Sequence, residues 1–127
     1  MLKIQVIAAV IPKGGKFLLG KRNPQKKAAP GYWCPISGKI EPGELDRDAV
    51  VREVFEEVGL VVQATRKLCI FDTHDKTATI HWWLAEILSG EATLKNDEHT
   101  ELGWFSIEEM KVLEPFFRED LEAFYKV

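Results

Sequence analysis

Two rhythms of apolar residues run along the chain. Lys3 to Ile11 (KIQVIAAVI) is β-branched and nearly continuous, which predicts a buried strand. Pro12-Lys13-Gly14-Gly15 interrupts it as a turn, and Lys16 to Lys21 (KFLLGK) resumes it, so an early hairpin is expected. A polar loop from Asn23 to Pro30 leads to a short strand, Gly31 to Ile36 (GYWCPI). After a Pro42-Gly43 turn the period becomes helical, with Asp46 as the expected N-cap and Gly59 as the stop. On this helix Val51, Val54, Phe55 and Val58 point broadly one way. Glu53, Glu56 and Glu57 share an arc of roughly 100° on the other side.

Strand character returns at Arg66 to Asp72 and at Thr77 to Leu88, joined by a turn around His74-Asp75-Lys76. Trp82 and Trp83 are adjacent, so in a strand they face opposite sides; one is expected in the core and the other beside a cleft. Tyr32 and Trp33 read as core before they read as the wall of a base pocket. A polar loop, Ser89 to Thr100, precedes a short strand at Leu102 to Phe105. Ser106 and Glu109 form a capping box for a helix from Ile107, and Pro115 is expected to open another with Phe117, Leu121 and Phe124 on one face. Strands and helices alternate, and the last helix is expected to pack on the sheet opposite the acidic one. The prediction is an α/β fold, a mixed sheet with helices on both sides.

Composition narrows the function classes. At 127 residues the chain has the length of one domain, 1–127, with a sizeable core. Its 46% apolar and 29% charged residues match an ordinary soluble globular protein. A net charge of −3 offers no electrostatic track for duplex nucleic acid or an anionic membrane. No apolar run reaches the length of a membrane span and no signal-peptide pattern follows Met1, so a cytoplasmic location is expected. Cys34 and Cys69 fit no metal or redox spacing and read as free thiols in a reducing compartment. His81 and His99 read as packing or surface residues, and no Ser/His/Asp or Cys/His set is present.

The acidic helix is the feature with a cost attached. Two carboxylates ~6 Å apart at an effective dielectric of ~20 repel by about 2.8 kcal/mol. Arg52, one i,i+4 step from Asp48 and from Glu56, offsets part of this. A hard divalent cation is the other candidate. Mg²⁺ is usually held by one or two carboxylates together with substrate phosphates, and Mn²⁺ is the alternative.

The stretch from Gly38 to Leu60, GKIEPGELDRDAVVREVFEEVGL, resembles the Nudix box, G-x5-E-x7-R-E-U-x-E-E-x-G-U with U apolar. Every fixed place matches: Gly38, Glu44, Arg52, Glu53, Val54, Glu56, Glu57, Gly59 and Leu60. Ile36-Ser37-Gly38 stands where many relatives carry Pro-Gly-Gly, so the required glycine is kept and the longer subfamily motif is not. The resemblance covers nearly the whole chain and implies the layered αβα Nudix fold.

It also implies hydrolysis of a nucleoside diphosphate linked to a group X, by attack of water on a phosphorus of the pyrophosphate. In that frame Glu53, Glu56 and Glu57 are metal ligands, helped by the Gly38 carbonyl. Glu53 or Glu98 takes the proton of the attacking water, and Glu101 competes with Glu98 for the loop position. Arg52 orients the glutamates, and Glu44 braces the turn. Arg22, whose forked donors suit phosphate, and Lys39 are candidate substrate contacts, while Lys26 and Lys27 read as surface.

In length and layout the chain is similar to the small MutT-type nucleoside triphosphate pyrophosphohydrolases, some of which act on oxidised purine nucleotides. Asp120 occupies about the place of their base-reading residue. ADP-ribose or other nucleotide sugars and dinucleoside polyphosphates are the alternative substrates. Their marker residues are absent: Asp75 stands at the proline position of the former, and no tyrosine lies between Trp33 and Tyr125. A non-catalytic nucleotide-sensing module is the alternative of a different class. The expected partner is a small-molecule nucleotide, and the expected assembly a monomer or homodimer.

Overall fold

The computed structural model describes residues 3–127. Strand β1 (Ile4–Val10) lies between antiparallel β5 (Ile36–Lys39) and parallel β7 (Ala78–Ser89), and β6 (Val61–Asp72) closes the far edge antiparallel to β7. A second sheet has β3 (Lys16–Arg22) at its centre. It pairs β2 (Pro12–Lys13), β4 (Trp33–Cys34) and β8 (His99–Phe105), all antiparallel. The expected first hairpin is present, turned by Gly14 and Gly15 with φ of 58° and 80°. Two successive positive φ angles are what a tight two-residue hairpin needs, and glycine adopts them without strain.

Alternation along β1 explains the layers. Ile7, Ala9 and the following Ile11 enter a core beneath helix α1 (Asp46–Val58), with Val50, Val54, Val58, Leu60 and Trp83. Ala8 and Val10 face a second core, with Phe17, Leu19, Trp82, Met110 and Phe124. Both tryptophans are therefore core: Trp82 is 1% exposed and Trp83 7%, so neither borders an open cleft. Trp83 finds its polar partner at the helix start, donating from Nε1 to Asp46 at 3.2 Å. The second core is covered by helix α2 (Ile107–Val112), a 3-10 turn at Arg118–Asp120 and helix α3 (Leu121–Phe124). The mixed α/β fold with helices on both sides is the one expected from the pattern. Among the described residues no helix is long and apolar enough to cross a membrane.

Several local expectations are corrected. The strand expected over 31–36 is two strands in different sheets, divided at Pro35, which has no N–H to continue a ladder. Leu45, not Asp46, is the N-cap of α1; Asp46 is the first helical residue and turns its carboxylate to Trp83 and to Lys67 at 2.6 Å. Val51 and Phe55 are exposed, whereas Glu57 is buried among Ala49, Val50, Val54 and Val58. Pro115 opens no helix. The Pro115 carbonyl accepts from Trp33 N at 3.0 Å and Phe116 bridges Trp33, so the backbone there is drawn to the sheet edge. The Ser106–Glu109 capping box and the Gly59 stop, with φ of 75°, are as expected.

Candidate active site

Arg52 ties Glu44, Glu53 and Glu56 together. Its guanidinium grips Glu44 with two donors, Nε to Oε2 at 2.8 Å and Nη2 to Oε1 at 2.9 Å. The same Nη2 donates to the Lys39 carbonyl at 3.0 Å, tying the helix to the end of β5. Nη1 reaches Glu53 at 2.7 Å and Glu56 at 3.3 Å. No ion pair links Asp48 to Arg52 among the described residues, although the i,i+4 spacing allows one. The Arg52 hydrogen bonds hold the Glu44 carboxyl at about 2, well below its usual range. Glu44 also accepts from the Glu41 N–H at 3.0 Å, which closes the turn ahead of the helix.

Gly38 is a glycine because of Glu53. A Cβ on Gly38 would lie 2.1 Å from the Glu53 carboxyl carbon, so the carboxylate occupies the space a side chain would take. Glu57 adjoins it, within hydrogen-bonding reach of Glu53. The Glu57 residue is 4% exposed, and its Oε2 has no partner. Burial raises its proton affinity far above the ordinary carboxylate range, and the Glu53 carboxylate and the charge of Glu98 raise it further. His99 approaches from β8, with Nε2 3.4 Å from Glu57 Oε1.

The remaining candidates are distributed around this centre. Glu98 is half-exposed and held by Lys26 at 2.6 Å. Asn23 fastens the same segment, through its N–H to the Glu98 carbonyl at 3.0 Å and its side chain to the Asp97 carbonyl at 3.0 Å. Glu101 faces outward and pairs with Lys21 at 3.7 Å. Arg22, at the end of β3, donates from Nε to the Ala28 carbonyl at 2.9 Å, and its charge acts on Glu57, on His99 and on Cys34. The Lys39 side chain is exposed, and its ammonium forms no ion pair among the described residues.

Asp120 is buried beside Cys34, and burial, followed by the charge of Glu119, pushes its carboxyl up to about 7. Burial lifts the Cys34 thiol to about 12, which makes it an inert wall rather than a nucleophile. Tyr32 stacks on Phe117 with ring centroids 4.4 Å apart and planes 16° apart. The Arg22 charge thus acts both on the carboxylate cluster, at Glu57, and on Cys34, and its own N–H donates to the Tyr32 carbonyl at 2.8 Å.

A NUDIX domain model matches residues 1–126. The chain belongs to the Nudix hydrolase family. It is 36% identical to the CTP pyrophosphohydrolase of Escherichia coli (strain K12) over 109 residues, which are 86% of this chain and 80% of that protein. It is 29% identical over 99 residues to the asymmetrical bis(5′-nucleosyl)-tetraphosphatase of Sus scrofa, 72% of this chain and 66% of that one. The crystal structure of a MutT Nudix hydrolase from Burkholderia pseudomallei is similar with a TM-score of 0.88 and 28% identity, covering 100% of this chain and 99% of the other.

Nudix hydrolases generally use divalent metal ions, and two observations here fit one. The Glu57 Oε2 atom is buried and unpaired, and the Gly38 backbone and the Glu53 carboxylate share a space only a glycine leaves open. Glu56 is turned toward Arg52, and among the described residues no three metal-ligating side chains converge as they stand. The structure adds two contacts beside the residues that the sequence singled out. Lys26, read as surface, holds Glu98; His99, read as packing or surface, faces Glu57. Neither carries a local signal, since the contacts join residues 72 and 42 positions apart.

Proposed function

We propose that the protein hydrolyses nucleoside triphosphates to the monophosphate and pyrophosphate with the help of Mg²⁺. What supports this reading is Arg22, whose charge acts on the acidic side, at Glu57, and on the side of Tyr32, Cys34 and Asp120, at Cys34, while its N–H donates to the Tyr32 carbonyl. A nucleotide laid from one side to the other has its phosphates at the acidic end and its base at the opposite one, with a guanidinium that acts on both. Glu53 and Glu57 would hold the cation, and Glu56 and the Gly38 carbonyl would complete its protein ligands. Bound there, Mg²⁺ offsets the repulsion between polyanion and helix and polarises the phosphorus under attack. Glu98, released from Lys26, accepts the proton of the attacking water. It is a better candidate than Glu101, which faces away on β8, and Glu53 is the alternative base. Arg52 and Glu44 fix the cluster, and Arg22 and Lys39 neutralise phosphate oxygens. The free thiols of Cys34 and Cys69 fit a reducing cytoplasm.

The test is a product assay of the purified protein with Mg²⁺ on the common and 8-oxo nucleoside triphosphates, ADP-ribose, other nucleotide sugars and dinucleoside polyphosphates. Monophosphate and pyrophosphate from a triphosphate are the expected products. Preference for a nucleotide sugar would retain the cluster and overturn the substrate; silence on all, with binding intact, would favour a sensor.

Asp120 gives a finer prediction. Below pH of about 7 its carboxyl is neutral and offers one donor and one acceptor, matching the N3 and N4 edge of cytosine; above it the carboxylate offers two acceptors, matching the N1 and N2 donors of guanine. The kcat/KM ratio of CTP to GTP is therefore expected to fall by about tenfold from pH 6 to pH 8.5, one good bidentate pair being worth about 1–3 kcal/mol. Asp120→Asn keeps one donor and one acceptor at every pH and should flatten the ratio. A uniform loss on all bases would give Asp120 a structural role instead.

A further inference from the structure

His99 is a buried imidazole that the reading above leaves without a task. Its side chain is 3% exposed, and neither ring nitrogen has a hydrogen-bond partner. Two such nitrogens in a core are costly unless something fixes them. Across 3.4 Å from Nε2 stands Oε1 of Glu57, whose other oxygen is the unpaired Oε2. The unpaired Nε2 of His99 thus faces Oε1 of Glu57, and the unpaired oxygen of that carboxyl is the other one, Oε2.

The fold makes room for this arrangement. A register shift between Lys21 and Arg22 brings Arg22 opposite His99, and it breaks the alternation of β8. His99 points inward although Glu101, two residues on, points out. Across from the ring lies Gly20, where a Cβ would sit 2.6 Å from the imidazole atoms, so β3 has no side chain where the ring lies. An inward bulge, a glycine and a buried carboxylate all converge on one ring orientation.

Resting on the metal-site reading above, we propose that His99 is a positioning residue: its Nε2–H holds Oε1 of Glu57, leaving Oε2 free for the cation. A carboxylate on a flexible side chain can present either oxygen. A donor fixed on one of them selects the other and removes the rotamer freedom that binding would otherwise have to freeze. Partners that orient a metal ligand in this way typically change metal affinity by about 10–100-fold when removed.

The experiment compares His99→Gln with His99→Asn. The glutamine amide nitrogen stands as many bonds from Cα as the histidine Nε2, whereas the asparagine amide is one bond short. Mn²⁺ is the probe, titrated into the nucleotide-free protein and followed by the electron paramagnetic resonance of the free ion. His99→Asn should weaken Mn²⁺ binding by about tenfold or more, with His99→Gln within about threefold of the wild type. The concentration of Mg²⁺ needed for half-maximal turnover should move in parallel. Near-wild-type binding in both variants, or equal weakening in both, overturns the proposal, because shape alone would then account for the residue. Glu57→Gln is the control on the underlying reading: unchanged Mn²⁺ affinity there would remove Glu57 from the metal site itself. A measurement on the unsubstituted protein covers the case of unstable variants. Nitrogen–proton correlation spectra of the imidazole should show the proton on Nε2 of a neutral ring, and a proton on Nδ1 alone would overturn the proposal.

Discussion

Glu57→Gln is expected to lower turnover of a nucleoside triphosphate by at least about 100-fold while the protein stays folded. The side chain keeps its shape, so the packing of Val50, Val54 and Val58 around it is undisturbed. In the metal-free protein burial and Glu53 keep the Glu57 carboxyl protonated, so the amide replaces a group that is already neutral and loses only the ability to ionise. The metal-free variant should therefore melt at or above the wild-type temperature. The two proteins part when Mg²⁺ is added. A ligand that binds the folded state stabilises it by mass action, so the wild type should gain several degrees and the variant little. Glu53→Gln is expected to lose activity to a similar extent. Wild-type rates in both variants would sink the assignment of these carboxylates to a metal site. A collapse of the melting temperature in Glu57→Gln would show the residue to be structural.

The second large effect is expected from a single methyl group. Gly38→Ala places a carbon 2.1 Å from the Glu53 carboxyl carbon and 2.3 and 2.5 Å from its two oxygens. No real structure tolerates such contacts, so the carboxylate must leave. Gly38 does not have positive φ, so alanine meets no backbone strain there and restricts the unfolded chain slightly. Stability should be close to wild type. Activity should not: displacement of a reacting group by about 1 Å costs on the order of 100-fold. Rates and melting curves measured on one preparation separate the two. An active Gly38→Ala would mean that the observed place of Glu53 is not the one that matters for turnover.

The sequence was most legible where local chemistry decides. The box around α1, the capping box at Ser106 and the Gly14-Gly15 turn follow from residues a few positions apart. Legibility failed where tertiary partners decide. Val51 and Phe55 look like core on a helical wheel, yet the buried stripe is Val50, Val54, Glu57 and Val58, with a carboxylate inside it. Nothing within the helix says that a glutamate is the fourth member, because the groups that make it tolerable lie on β5 and β8. Pro115 offers a good helical start, and a hydrogen bond from Trp33, eighty-two residues earlier, takes it elsewhere. The α/β layering survived these errors because β1 is apolar on both faces, whichever residues cover it.

The clasp between Asn23, Lys26 and the 97–98 segment has a consequence for timing. Three contacts, two of them to main-chain carbonyls, join a loop that follows β3 to one that precedes β8. Loops fastened to each other do not fluctuate independently; they open as one unit or not at all. Separation of the 97–98 segment from Asn23 and Lys26 is then expected to be one step, with one rate constant. Drawing Lys26 away would remove one of the three contacts and free the Glu98 carboxylate, while the two from Asn23 keep the segment in place.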